Sequence, residues 1–160
     1  MIGGHLGVMM ARHGSKGRVA GLFIRSERRA TVSTVEAVNV ALDGLDGDHA
    51  RAGKRAVTLI QAEHLSVISA FLGGVTVAAA DLRRNILVTG INLLALRKTH
   101  VRIGECVLFV HGPCPPCSRM EEVFGHGGYS AVRGHGGVYA EVIEPGLITL
   151  STSVARRGDD

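Results

Sequence analysis

Short β-branched runs, broken at close intervals by glycine and polar residues, constrain this chain more than any other feature. There are 22 glycines in 160 residues, enough for many tight turns, and the runs between them have strand length. They do not alternate regularly with helix-length patterns, so the expectation is a β-rich domain rather than a βαβ repeat. Residues 18–24, 35–42, 56–61, 85–90 and 101–110 read as strands, with residues 138–143 and 147–154 closing the domain. Within residues 35–42 the apolar side changes between Val35-Ala37 and Val38-Val40-Leu42, which predicts a bulge. Residues 45–48 read as a turn, with Asp48 bonding local backbone.

Helical signals are few. Leu65, Ile68, Phe71 and Leu72 have helical spacing and precede Gly73-Gly74, which predicts a helix over residues 63–72. A second, short helix is expected over residues 118–124, with Ser118 as N-cap and Glu121 at the capping-box position. Residues 125–137 read as a glycine- and histidine-rich loop, and residues 156–160 as a frayed tail. In residues 101–110, Cys106, Leu108 and Val110 share one face, which assigns Cys106 to the core.

Size and charge narrow the classes. A chain of this length fits one domain with a core large enough to need no disulfide staples. Three cysteines are too few for a secreted disulfide framework, and an odd number leaves one thiol free, so a reducing cytoplasm is the expected location. The first ten residues lack the basic and apolar regions of a signal peptide, no apolar run approaches a membrane span, and no membrane partner is expected. Aromatic residues are only 4% and Trp is absent, which argues against stacked recognition of single-stranded nucleic acid. The net charge of +4 is spread over arginines and lysines such as Arg25, Arg28, Arg29, Arg83 and Arg84, with no run long enough for DNA. Solubility and a mild attraction for anions are its expected consequences, and no specific nucleic acid is expected as a partner.

The stretch His111-Gly112-Pro113-Cys114-Pro115-Pro116-Cys117-Ser118-Arg119-Met120 holds the chemistry. A thiol binds metal or attacks substrate as thiolate, and a neighbouring guanidinium such as Arg119 favours that form. Three site types match the residues. A zinc site would use His111, Cys114 and Cys117 with His126 or His135. A dithiol redox centre would use Cys114 and Cys117, although a thioredoxin-like domain would place that motif early, and here only two clear strands follow it. The third is a single reactive thiolate, Cys117, that serves as a metal ligand or sulfur carrier beside a bound anion.

Several ordered motifs support the third. They are Gly44-Leu45-Asp46-Gly47-Asp48-His49-Ala50, residues 55–60 with Glu63-His64-Leu65, residues 82–91 beginning Leu82-Arg83-Arg84-Asn85, Ile103-Gly104-Glu105, Pro116-Cys117-Ser118-Arg119-Met120, and residues 138–146. In this order and spacing the chain resembles the MOSC domain, the module similar to the C-terminal part of molybdenum cofactor sulfurases and also found as small free-standing bacterial proteins. The likeness covers residues 18–154, leaving residues 1–17 as an N-terminal extension and residues 155–160 as a tail.

The resemblance implies a mainly β fold with a few short helices, a closed β-barrel similar to that of pyruvate kinase. It implies Cys117 as the family cysteine, a ligand to molybdenum or a carrier of its sulfur, and a molybdenum–pterin cofactor as the guest. Asp48, His49, Arg55, Arg84, Asn85 and Arg119 are the positions carried over as cofactor-binding. Two activities follow from the resemblance, reduction of N-hydroxylated compounds with electrons from separate donor proteins, or non-catalytic delivery of cofactor or sulfur, loaded by a cofactor-sulfurating enzyme; a third alternative is a degenerate barrel acting only as an interaction module. No pyridoxal phosphate site is expected, because the aminotransferase-like half of the complete sulfurases has no counterpart here.

Overall fold

The structure is a computed structural model that describes residues 3–159. A seven-residue helix α1 (Gly4–Met10) precedes the first strand, β1 (Gly17–Ile24). Then come β2 (Ser33–Val35), β3 (Ala37–Ala41), β4 (Gly44–Leu45) and β5 (Val57–Gln61). Helices α2 (Ala62–Phe71) and α3 (Ala79–Leu82) lead to β6 (Ile86–Thr89). A short 3-10 turn at Leu93–Leu96 enters the hairpin of β7 (His100–Ile103) and β8 (Cys106–Pro113). Helices α4 (Arg119–Phe124) and α5 (Gly128–Val132) and strands β9 (Val138–Glu144), β10 (Gly146–Thr149) and β11 (Ser153–Arg156) complete the chain.

Seven strands close on themselves in the order β1, β11, β7, β8, β9, β5, β6 and back to β1, with β2 extending β1 beyond the ring. Among the described residues only β5 and β6 pair in parallel, and their connection is the α2–α3 crossover. The expected β-rich closed barrel is therefore the observed fold. Its interior is filled by Val19, Leu22, Leu59, Ile86, Val88, Val101, Ile103, Leu108 and Val110 among others, with Cys106 fully buried in the same cluster. Burial pushes the Cys106 thiol up to about 12, with Glu144 adding to the rise, so this sulfur is core. Strands β3, β4 and β10 form a small second sheet that lays Val38, Val40, Leu45 and Ile148 against that core.

A second apolar cluster lies outside the barrel, where Ile60, Ile68, Leu82, Met120, Ala131 and Val132 join the helices to β5. This explains why β5 is buried on both faces and reads as a continuous apolar run. Among the described residues no helix is long and apolar enough to cross a membrane.

Several local expectations change. Residues 101–110 form a hairpin, not one strand: Ile103 faces Cys106 across the two-residue turn Gly104-Glu105, where Gly104 has φ 59°. Residues 35–42 do not bulge within one strand. The chain changes sheets there, β2 pairing with β1 and β3 pairing with β10. Residues 147–154 are split likewise between β10 and β11, and α5 occupies part of the expected loop 125–137. The tail is not frayed through Arg157, since Arg156 belongs to β11 and the Arg157 N–H donates to His100 O at 2.8 Å.

The Glu63 carboxylate joins the start of α2 to the end of β6. It accepts from Gln61 Nε2 at 2.6 Å, from Thr89 Oγ1 at 2.9 Å and from the Gly90 N–H at 2.9 Å. Burial opposes its charge, but these hydrogen bonds prevail and hold the carboxyl down to about 2. A depressed carboxylate contributes stability that is present above its unfolded value near 4.5 and is lost as pH falls towards 2. Because the residue is exposed, solvent screening limits that contribution to about 1 kcal/mol. Glu63→Gln should therefore be less stable than the wild type by about this amount at pH 7, with the gap closing between pH 4.5 and 2 in urea unfolding.

Candidate functional site

The cysteine turn leaves the end of β8 and enters α4, and packing decides which way each residue points. Met120 is buried in the cluster outside the barrel, beside Ile60, Leu82 and Val132. With Met120 pinned inward, Cys117, Ser118 and Arg119 border a cavity of about 300 Å³. Ser118 precedes the helix as expected, but its side chain makes no capping bond. Glu121 does not close a capping box. Its carboxylate accepts from the Gly127 N–H at 3.2 Å and the Tyr129 N–H at 2.9 Å, fastening α4 to the start of α5.

The three thiols are all free and differ in burial. Cys106 and Cys114 are buried, and Cys117 is exposed. Burial pushes the Cys114 thiol up, while Arg84 and Arg55 partly offset the shift. A thiol in that state packs more readily than it reacts. The available sulfur at this site is Cys117.

Six arginines line the same cavity: Arg25, Arg28, Arg29, Arg83, Arg84 and Arg119. They come from three distant segments. Arg25 follows β1, Arg83 and Arg84 precede β6, and the antiparallel pairing of β1 with β6 sets those two strand ends side by side. Arg83 adopts φ 58°, a left-handed conformation costing a non-glycine residue on the order of 1 kcal/mol, at the point where α3 ends and the chain reverses into β6. Its Nη2 donates to the carbonyls of Arg28 and Ala30 at 3.3 and 2.5 Å, holding the loop after β1 against the cavity. Arg84 uses Nε on Gly136 O at 2.8 Å and Nη1 on Leu82 O at 3.0 Å, and so braces the cavity wall.

Two guanidinium nitrogens are left over. Arg83 Nε and Arg119 Nε are buried with no hydrogen-bond partner. Guanidiniums crowded in this way repel one another. Burial, then Arg83, lower the affinity of Arg25 for its proton despite Asp48, and burial followed by Arg119 does the same for Arg83. Unpartnered donors together with unrelieved positive charge form a site prepared for an anion. The carboxylate bordering the cavity is Glu122.

Of the residues expected at the site, Cys117, Arg84 and Arg119 line the cavity together. Asp48 and His49 stand behind it. Asp48 Oδ1 accepts the Arg25 N–H and the His49 N–H donates to Arg25 O, both at 2.9 Å, so the Asp48-His49 pair holds the backbone of Arg25. Asn85 is buried and ties three strands. Its Oδ1 accepts from the Thr58 N–H and Oγ1 at 2.9 and 3.2 Å, and its Nδ2 donates to Phe23 O at 3.3 Å. Arg55 lies over the Tyr139 ring, 4.4 Å from its centroid, and does not line the cavity. Sequence reasoning missed Arg25, Arg28, Arg29 and Arg83 as a site. The pattern Arg25-x-x-Arg28-Arg29 and the doublet Arg83-Arg84 carried the signal, but read along the chain they are scattered charges.

The zinc set does not converge. His111 Nε2 pairs with Glu141 at 2.9 Å, and His135 packs edge-on to His64 at 5.0 Å. Among the described residues no three His, Cys, Asp or Glu side chains are placed to hold a metal ion together. Nor does the dithiol motif sit in a thioredoxin-like sheet, since it leaves a barrel strand that is antiparallel to both neighbours.

Comparison with known proteins gives the family and the fold. A model of the MOSC domain family matches residues 46–155. This chain belongs to the MOSC family. Solved structures extend the likeness in fold over most of the molecule. The YuaD protein of Bacillus subtilis is 15% identical, with 88% of this chain and 94% of that chain covered at a TM-score of 0.76. YiiM of Escherichia coli is 20% identical, covering 87% and 69% at 0.69. YiiM of Geobacillus stearothermophilus is 16% identical, covering 88% and 74% at 0.73. At these identities the structures establish a shared fold, and the family rests on the match to residues 46–155. No curated protein matches the chain.

Proposed function

We propose that this MOSC protein binds a molybdenum–pterin cofactor in the arginine-lined cavity, with Cys117 as the thiolate that meets the metal or bears its sulfur. One observation carries the reading: an exposed thiol shares a cavity with six guanidiniums, two of which keep a buried Nε without a partner. The residues fit such a guest. Its phosphate needs bidentate, charge-assisted donors, which arginines supply, and a metal already held by sulfur accepts a further soft ligand. The cavity is at the lower end of the range for small-molecule sites.

Each residue has a distinct task in this reading. Arg83 and Arg119 present free donors to the anionic group, and Arg25, Arg28 and Arg29 add positive charge from the loop after β1. Asp48 and His49 act as positioning residues through Arg25, Arg84 braces the wall at Gly136, and Asn85 holds the strands from which Arg25 and Arg84 emerge. Arg55 is set apart, on Tyr139. When bound, the cofactor supplies a redox-active metal able to accept an oxygen atom. With that chemistry the substrates would be N-hydroxylated compounds, whose reduction to the parent amine takes two electrons and two protons and releases water. The electrons would come from separate donor proteins.

A second reading, delivery of cofactor or sulfur without turnover, is favoured by the exposure of Cys117, which leaves the sulfur within reach of a sulfurating enzyme or a recipient. Three free thiols suit a reducing cytoplasm in either case.

The test is purification from a host that makes the cofactor, with molybdenum and pterin measured per chain. Both should co-purify with the wild type, and Cys117→Ser should lose at least tenfold in molybdenum while keeping its unfolding midpoint, because the thiol is exposed. Zinc at one per chain, or undiminished molybdenum in Cys117→Ser, would overturn the assignment. Turnover of an N-hydroxylated base with reductant and electron carriers separates catalyst from carrier.

A further inference from the structure

The end of the barrel away from Cys117 carries a second basic cavity. Strand β1 runs from Gly17 to Ile24, and its eight residues span roughly 25 Å. The arginine cavity lies beyond Ile24, at Arg25. The second lies before Gly17, where residues 11–16 fold over the ends of β6 and β11. Strand β6 gives the same separation in reverse, with Leu82, Arg83 and Arg84 before it in one cavity and Ile91 after it in the other.

This second cavity, of about 340 Å³, is lined by Arg12, His13, Lys16 and Arg156, with Asp159 as the opposing carboxylate. Residues 11–16 are fastened there by Ser15 Oγ, which donates to Gly90 O at 2.8 Å. His13 Nε2 is buried without a hydrogen-bond partner. An unpaired buried nitrogen is destabilising unless a ligand or water satisfies it. The cluster continues through Arg156 into an adjoining hollow of about 280 Å³ lined by Lys98, Thr99, His100 and Arg157.

We infer that this end of the barrel is a second anion site, which binds a small molecule carrying two linked phosphate groups. One phosphate sits among Arg12, Lys16 and Arg156 and accepts a hydrogen bond from His13 Nε2. The other reaches across Arg156 towards Lys98 and Arg157. Guanidinium and ammonium donors around an imidazole N–H are suited to phosphate oxygens, and two adjoining hollows that share one arginine match a phosphoanhydride better than a single phosphate. The inference is independent of the cofactor reading, because the two cavities share no residue.

The test titrates the full chain with inorganic pyrophosphate at constant ionic strength while the His13 imidazole signal is followed by NMR, assigned with His13→Asn. The expected result is a saturable shift of that signal, stronger with pyrophosphate than with orthophosphate. Arg12→Ala and Arg156→Ala should each weaken it at least tenfold, and Arg119→Ala at the opposite end should leave it unchanged. Arg12 is exposed and outside the sheet, so its variant tests the site even if Arg156→Ala disturbs β11. A stationary His13 signal, an equal shift with sulfate at the same ionic strength, or loss of the response in Arg119→Ala would overturn the proposal.

Discussion

Gly137→Ala should remove a large part of the stability of this domain. Gly137 stands at φ 88° where β9 begins, and a Cβ there would lie far inside van der Waals contact of Leu59 O, with Leu59 C and Ile60 Cα at 3.0 and 3.1 Å. Neither the backbone of β5 nor that of β9 can give way, because Val138 is paired with Leu59 on one side and Pro113 on the other. The left-handed penalty and the overpacking together come to about 2–5 kcal/mol, a large part of the roughly 5–15 kcal/mol that holds a domain of this size together. The same backbone supports the site, since the Cys114 N–H donates to Gly137 O at 2.8 Å and Arg84 holds the adjacent Gly136 O. A fall in the urea midpoint should therefore be accompanied by loss of bound cofactor. An unchanged midpoint would show that the β5–β9 approach is looser than the geometry requires.

Arg119→Ala is expected to separate binding from stability. The Arg119 Nε is buried without a partner, and its charge works against Arg25 and Arg83. Removing it relieves that repulsion, so the cofactor-free variant should unfold at the same urea concentration as the wild type or a higher one. Loss of a charge-assisted donor to an anion costs about 1.5–3 kcal/mol, or on the order of 10- to 100-fold in affinity. Pterin retained per chain after purification should fall accordingly. Arg84→Ala is the contrasting case: it frees two backbone carbonyls and should lose stability as well as ligand. If Arg119→Ala were as destabilised as Arg84→Ala, the crowded arginines would be structural.

Much of the barrel was legible because its strands are short apolar or alternating runs broken by glycine and polar residues. Residues 18–24, 56–61 and 85–90 come within a residue or two of β1, β5 and β6. The misreadings share one cause. Periodicity reports which side of a strand is apolar but not which sheet receives it, so the passage from β2 to β3 at Glu36 looked like a bulge. It is equally blind to a tight turn with apolar residues on both flanks, as at Gly104-Glu105 in the β7–β8 hairpin. Glu121 was placed in a capping box by spacing, but α5 offered its carboxylate two backbone donors in better reach.

The sequence by itself determined the β-rich class, the core position of Cys106 and the singling out of Cys117, because hydrophobic period, proline-stiffened turns and an ordered set of motifs are properties of neighbouring residues. Only the tertiary structure decided which charges act together. Arg25, Arg83 and Arg119 lie far apart along the chain and meet because β1 pairs with β6 and Met120 anchors α4 in the outer apolar cluster. Coulombic repulsion among guanidiniums and the lack of a partner for a buried Nε depend on distances that only barrel closure sets.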